Sequence, residues 1–196
     1  LFLTFEKEAP GLKYSGKTIG LDIGYRKLAV TSEGQIIGSG LKTLINNADK
    51  KQQGSNGYQR AKSEIKNYIN CEVKTLFTNN LQCLVVENLK NLKKNKHGLW
   101  SKTVNRKFNF WLYGHTLDRL SQLSEFYGVH NPSVIARDTS RECPMCHFIS
   151  KLNRKGEYFK CLQCNFSGDA DYVASLNIRY RFTHQPIVGV VSKLIQ

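Results

Sequence analysis

From Lys17 to Gly40 apolar and polar residues alternate and turn like consecutive strands: TIGLDIG, then KLAVTS, then Gln35 to Gly38 beyond a Glu33-Gly34 turn. The pattern predicts a β-meander with an acid, Asp22, inside its first strand. Asn46 to Tyr58 is rich in Asn, Gln, Gly and Lys and reads as a mobile surface loop. Helical spacing takes over from Gln59 to Asn79, where Ile65, Ile69, Val73, Leu76 and Phe77 recur with lysines between them, so one amphipathic helix is expected to cross the sheet. The short run CLVVENL suits a buried parallel strand ending at Glu87. A second helix is expected from Phe108 to Phe126, with Leu112, His115, Leu117, Leu120 and Leu123 on or near one face and a stop at Gly128. A strand from Ser133 to Ala136 and a last helix from Asp171 to Arg181 complete the order. There is no internal repeat, and the succession of strands and helices argues for an α/β layer fold.

Composition narrows the partners. The 196 residues, 40% of them hydrophobic, can bury one sizeable core and a small satellite. With 29 basic and 15 acidic residues the net charge is +14, whose simplest partner is a polyanion. The longest apolar runs are strand-sized, short of the roughly 20 residues a membrane span requires, so no membrane partner is expected. Leu1 rather than Met opens the chain, which suggests a fragment or a processed chain.

Four cysteines carry the sharpest chemical signal. They stand as CPMC (Cys143, Cys146), fourteen intervening residues, then CLQC (Cys161, Cys164). Each CxxC turn delivers two sulfurs from one tight knuckle, and two knuckles a ribbon-length apart complete a tetrahedral zinc site. Two disulfides or four unrelated buried thiols are the alternative, but no apolar secretory segment opens the chain to support an oxidising compartment. Cys71 and Cys83 lie apart without a motif and read as buried or idle thiols. His147, just past the first knuckle, is a further possible ligand, though a surface imidazole fits better with four sulfurs at hand.

Three carboxylates have telling placements. Asp22 lies inside an apolar strand, Glu87 ends another, and Asp171 opens the final helix. An acid buried within LDIG is costly unless a cation or hydrogen-bond donors meet it. If the first and fourth strands are neighbours, Asp22 and Glu87 converge at the strand ends where open α/β sheets place ligands, and Asp171 adds a third oxygen donor suited to Mg²⁺. Any one of them alone would read as a turn or cap residue.

The strand GLDIGYRKLAV, the strand LVVENL and the block TSRECPMC with CLQCNFSGDADYVASLNI resemble the three acidic motifs and zinc ribbon of the RuvC-like nuclease domain in TnpB proteins, which insertion sequences encode and which are related to type V CRISPR effectors. The resemblance runs from about Lys17 to Ile178 in the family's order. It implies an RNase H-like (RuvC) mixed sheet flanked by helices, residues 1–142 and 167–196, with a zinc ribbon inserted at 143–166. It also implies DNA as substrate, a guide RNA in the full-length parent, two Mg²⁺ or Mn²⁺ ions and one structural Zn²⁺. Asp22, Glu87 and Asp171 become the catalytic, magnesium-binding acids, with Asp22 the expected bridge between the ions. Asp169 competes with Asp171 for the third place; Asp171 is preferred because it stands just ahead of a small-residue helix ending in Asn177-Ile178. Glycines the family places after each knuckle are replaced by His147 and Asn165, and Asn-Ala-Ala of the last helix reads Val173-Ala174-Ser175. Retention of all three acids argues against the family's cleavage-dead relatives.

Lys90 to Lys107 holds seven basic residues (Lys90, Lys93, Lys94, Lys96, Lys102, Arg106, Lys107) and no acid, so it is expected either to track a phosphate backbone or to be a solvated loop. Trp100 offers a stacking face, whereas Trp111 fits core packing. Arg26 and Lys27, just past Asp22, would contact the scissile strand or cap a turn. Alternatives to a nuclease are a catalytically silent zinc-ribbon nucleic-acid binder and a RuvC-type junction resolvase, the latter disfavoured by the inserted ribbon. A cytoplasmic, nucleoid-associated location follows if the source is prokaryotic. Guide binding in the family depends largely on regions upstream of this domain, and the oligomeric state is open.

Overall fold

The computed structural model describes residues 8–88 and 112–184. Five strands form a mixed sheet in the order β3-β2-β1-β4-β5, with β1 Lys17–Ile23, β2 Ala29–Thr31, β3 Ile36–Ile37, β4 Leu81–Asn88 and β5 Ser133–Ile135. The meander pairs antiparallel, and β4 lies parallel to both β1 and β5. Consecutive residues of a strand face opposite sides, and the burial pattern divides accordingly. Ile19, Leu21, Ile23, Leu84 and Val86 face one core with α1 (Leu41–Asp49), α2 (Asn56–Lys74) and α3 (Tyr113–Tyr127). Cys83 and Val85 face the other side, against Ile178 and Phe182 of the final helix α4 (Ala170–His184).

Gly20 explains how closely α4 lies on the sheet. A Cβ at this position would stand 2.2 Å from the carbonyl oxygen of Ser175 and 2.6 Å from the backbone nitrogen of Arg179. Only a residue without a side chain lets helix backbone meet strand backbone there.

Helix α1 takes up the first part of Asn46 to Tyr58, where the polar composition predicts a loop. Leu41, Ile45 and Ala48 recur at i, i+4 and i+7 and are buried in the core shared with α2 and the sheet, which outweighs the poor helix propensity of Asn46 and Asn47. Serine 55 then caps α2 by accepting from the Tyr58 N–H at 3.1 Å, so this helix starts and ends a few residues earlier than its apolar spacing implied. Its buried positions are Ile65, Ile69 and Val73, as read. Gly128 ends α3 in the left-handed conformation at φ 63°, its N–H reaching the carbonyls of Ser124 and Glu125. The expected start of that helix at Phe108 lies outside the described residues.

Between β5 and α4 stands a small cysteine module. A 3₁₀ turn at Lys151–Asn153 leads into a three-stranded antiparallel sheet of β6 Arg154–Lys155, β7 Tyr158–Lys160 and β8 Ser167–Asp169. Its own core joins Cys143, Phe159 and Cys161 to Ala170 and Val173 in the first turn of α4. The module is thereby bolted to the end of the helix that carries Asp171. Among the described residues no helix is long and apolar enough to cross a membrane.

Candidate functional site

The parallel register of β1 and β4 runs through Gly20–Val85 and Leu21–Val86, so Asp22 and Glu87 are the next residues in line, on the α4 side of the sheet. Asp22 and Glu87 therefore meet at the C-terminal edge of two neighbouring parallel strands. Asp171, in the first turn of α4, joins them from the facing layer. Burial, then the negative charges of Glu87 and Asp171, push the Asp22 carboxyl well above the usual carboxylate range. Glu87 is 9% exposed. Burial raises it too, against the pull of the Thr139 hydroxyl and of Arg181 and Arg154. Three acids from distant stretches of chain thus share one electrostatic environment.

Asp169 and Asp171 have different duties. Asp169 Oδ1 accepts from the backbone N–H groups of Asp171 and Tyr172, both at 3.0 Å, which is the cap of α4. Its Oδ2 accepts from Lys27 Nζ at 3.0 Å. Asp171 faces inward, with Oδ1 3.2 Å from an Arg154 guanidinium nitrogen and Oδ2 3.7 Å from Lys27 Nζ. It also acts on Asp22 more strongly than Asp169 does.

Three neighbours of the acids, Lys27, Arg154 and Thr139, are not marked as such in the sequence. The Thr139 hydroxyl donates to Glu87 Oε1. Lys27 reads like its neighbour Arg26 as a basic residue past a strand, and Arg154 is one of four basic residues of the module. Arg26, beside Lys27 in the chain, pairs with Glu157 of the module at 2.6 Å. Lys90, Lys93, Lys94, Lys96, Lys102, Arg106 and Lys107, with both tryptophans, lie outside the described residues.

The four cysteine sulfurs lie within 4.8 Å of one another, a group that could hold a metal ion. Cys143 and Cys164 Sγ are 3.5 Å apart, as are those of Cys146 and Cys161. A tetrahedral zinc ion with bonds of about 2.3 Å spaces its sulfurs about 3.8 Å apart, so the donor set fits. Burial raises the Cys143 thiol to about 12. Burial would raise Cys161 as well, but N–H groups of Cys164 and Gln163 draw it down to about 7. His147 and Asn165, where glycines were expected, both adopt positive φ, 59° and 61°. The knuckle geometry survives without glycine because each is of a type enriched in the left-handed region. His147 Nδ1 is paired with Glu142 at 3.0 Å and its ring stacks on Tyr180 at 4.5 Å, so it is held away from a ligand's role. Cys71 is exposed, and Cys83 is buried with its thiol raised to about 11.

The family model of the Cas12f1-like TNB domain matches residues 113–178. A curated relative, the CRISPR-associated endodeoxyribonuclease Cas12f1 of an uncultured archaeon, is 28% identical over 116 residues, 55% of this chain. This chain is related to TnpB and the type V effectors. Solved structures of such effectors have a similar fold: the Cas12f1–sgRNA–target DNA complex, with a TM-score of 0.57 and 21% identity over 83% of this chain, and CasPhi-2 (Cas12j) bound to crRNA, with 0.52 and 21% over 66%. This type V relative spans 21% of the curated protein and about half, 49%, of the Cas12f1 chain in that complex.

Proposed function

We propose that this chain carries the DNA-cleaving part of an RNA-guided endonuclease: a RuvC-type, RNase H-like unit of residues 1–142 and 167–196 with a zinc ribbon at 143–166. The observation that carries the reading is the convergence of Asp22, Glu87 and Asp171, whose burial and mutual repulsion raise the Asp22 carboxyl. Buried like charges at one sheet edge are stabilised by divalent cations, and carboxylate oxygens are the donors Mg²⁺ or Mn²⁺ prefers. Such ions, when bound, activate water and neutralise charge on a phosphodiester undergoing in-line displacement.

The protein's own contribution is placement. Asp22 and Glu87 are set by strand register, Asp171 by a helix cap. Lys27 and Arg154 put two cationic groups beside Asp171, where a phosphate of the substrate strand can be steered and its charge balanced. The four cysteines would hold a structural zinc ion, and the packing of the ribbon core on the first turn of α4 would fix where Asp171 stands. DNA as substrate is supported by the endodeoxyribonuclease relative, and guide RNA in the full-length parent by the complexes that the structural relatives form.

The test is Mn²⁺-dependent cleavage of DNA, with guide RNA supplied, by the protein at its full length. Asp22→Ala should reduce cutting to background while DNA binding, followed by fluorescence anisotropy, persists. Equal cleavage by the variant would sink the assignment.

A further inference from the structure

We infer that Thr139 is a positioning residue for Glu87, and that α4 is the common reference on which both Glu87 and Asp171 are aligned; this rests on the metal-binding reading of the acids. Thr139 is 2% exposed and lies in the segment joining β5 to the first knuckle. Its hydroxyl has one proton and two acceptors in reach, Glu87 Oε1 and the Ala136 carbonyl at 3.1 Å. The carboxylate is the stronger acceptor, so the proton goes to Glu87 and restricts which way its oxygens turn.

Thr139 is itself held by α4. Asn177 Nδ2 donates to the carbonyls of Thr139 and Glu142 at 2.7 and 2.8 Å. One helical turn further on, Arg181 donates to the carbonyls of Ile135 and Arg137 at 2.9 and 2.5 Å and to the Glu142 carboxylate at 2.7 Å. Asn177 and Arg181 are buried, so these bonds form out of competition with water. Two side chains of one helix thus clamp four carbonyls of the segment that delivers the hydroxyl. The outcome is geometric: the helix that begins with Asp171 also sets, through Asn177 and Thr139, the orientation of an acid on β4.

The deciding measurement is Mn²⁺ binding by calorimetry to the zinc-loaded chain, with thermal melts in parallel, for wild type, Thr139→Val, Thr139→Ala, Thr139→Ser and Glu87→Gln. Loss of a group that orients a metal ligand typically costs about 10–100-fold in affinity. Thr139→Val and Thr139→Ala should both weaken Mn²⁺ binding by about tenfold or more on that scale, and Thr139→Ser should restore it. Wild-type binding by the Val and Ala variants, beside weakened binding by Glu87→Gln, would overturn the role of Thr139 alone. Weakening that serine does not rescue and that follows a fall in Tm would mark Thr139 as structural and overturn it as well. Unchanged binding by Glu87→Gln would remove the reading of the acids and this inference with it.

Discussion

Cys143, Cys146, Cys161 and Cys164 reach one point from two turns of a single short module, whereas Asp22, Glu87 and Asp171 reach one sheet edge from opposite ends of the chain. In the module each knuckle places its own pair of sulfurs, with N–H groups of Met145, Gln163 and Cys164 turned toward them. Local backbone does most of that work. No single turn places two of the acids; strand pairing, a helix cap and the approach of α4 over Gly20 must all be correct. A locally closed site can therefore fail while the sheet stands, but the acids have no arrangement without the sheet.

Breaking the module should have the largest effect. Cys146→Ser should abolish zinc binding, worth about 10 kcal/mol or more in comparable structural sites, and amide exchange should show protection lost at Phe159 and Cys161 while Leu84 to Val86 keep theirs. Equal loss in β4 would mean the two regions are one cooperative unit.

Gly20→Ala reaches the acids from the other direction. The added methyl would press into the Ser175 carbonyl, and displacement of α4 should cost about 3 kcal/mol in urea denaturation. A variant as stable as wild type would show that α4 shifts freely, and that its contact with β1 does not align Asp171.

Acidity offers a gentler probe. Asp22 and Glu87 are both raised in the folded chain, so over that window the native state holds more protons than the unfolded one. The stability linked to those protons is complete below pH about 4 and is lost as pH rises through the folded values. Without divalent cations, Asp22→Asn should gain a Tm advantage of a few degrees that grows with pH above that point. An advantage independent of pH would contradict the shared environment.

The smallest effect separates the neighbouring acids. Asp169→Ala removes the cap of α4 and should cost about 1 kcal/mol with cleavage retained, whereas Asp171→Ala should cut activity to background. The reverse pattern would move the third acid to Asp169.

Most of the architecture was legible because its signals are local. The alternation before Gly40, the apolar run around Leu84 to Val86 and the spacing of Ile65, Ile69 and Val73 each depend on a few adjacent residues. Helix α1 was hidden because polar composition around Asn46 and Asn47 masked three buried positions one helical face apart. Lys27, Arg154 and Thr139 were harder to recognise, since nothing in an isolated Lys, Arg or Thr marks which carboxylate it will meet.

The chain's sequence by itself determined the cysteine spacing, the acids within and at the ends of apolar strands, and the helices and strands that carry them. Those are properties of near neighbours, set by backbone periodicity and side-chain chemistry. Tertiary structure alone decided that Asp22 and Glu87 fall side by side, that Asp169 caps while Asp171 turns inward, and that Thr139 reaches Glu87. These depend on strand register and on the close seating of α4 over Gly20, which only the packed sheet and helix can fix.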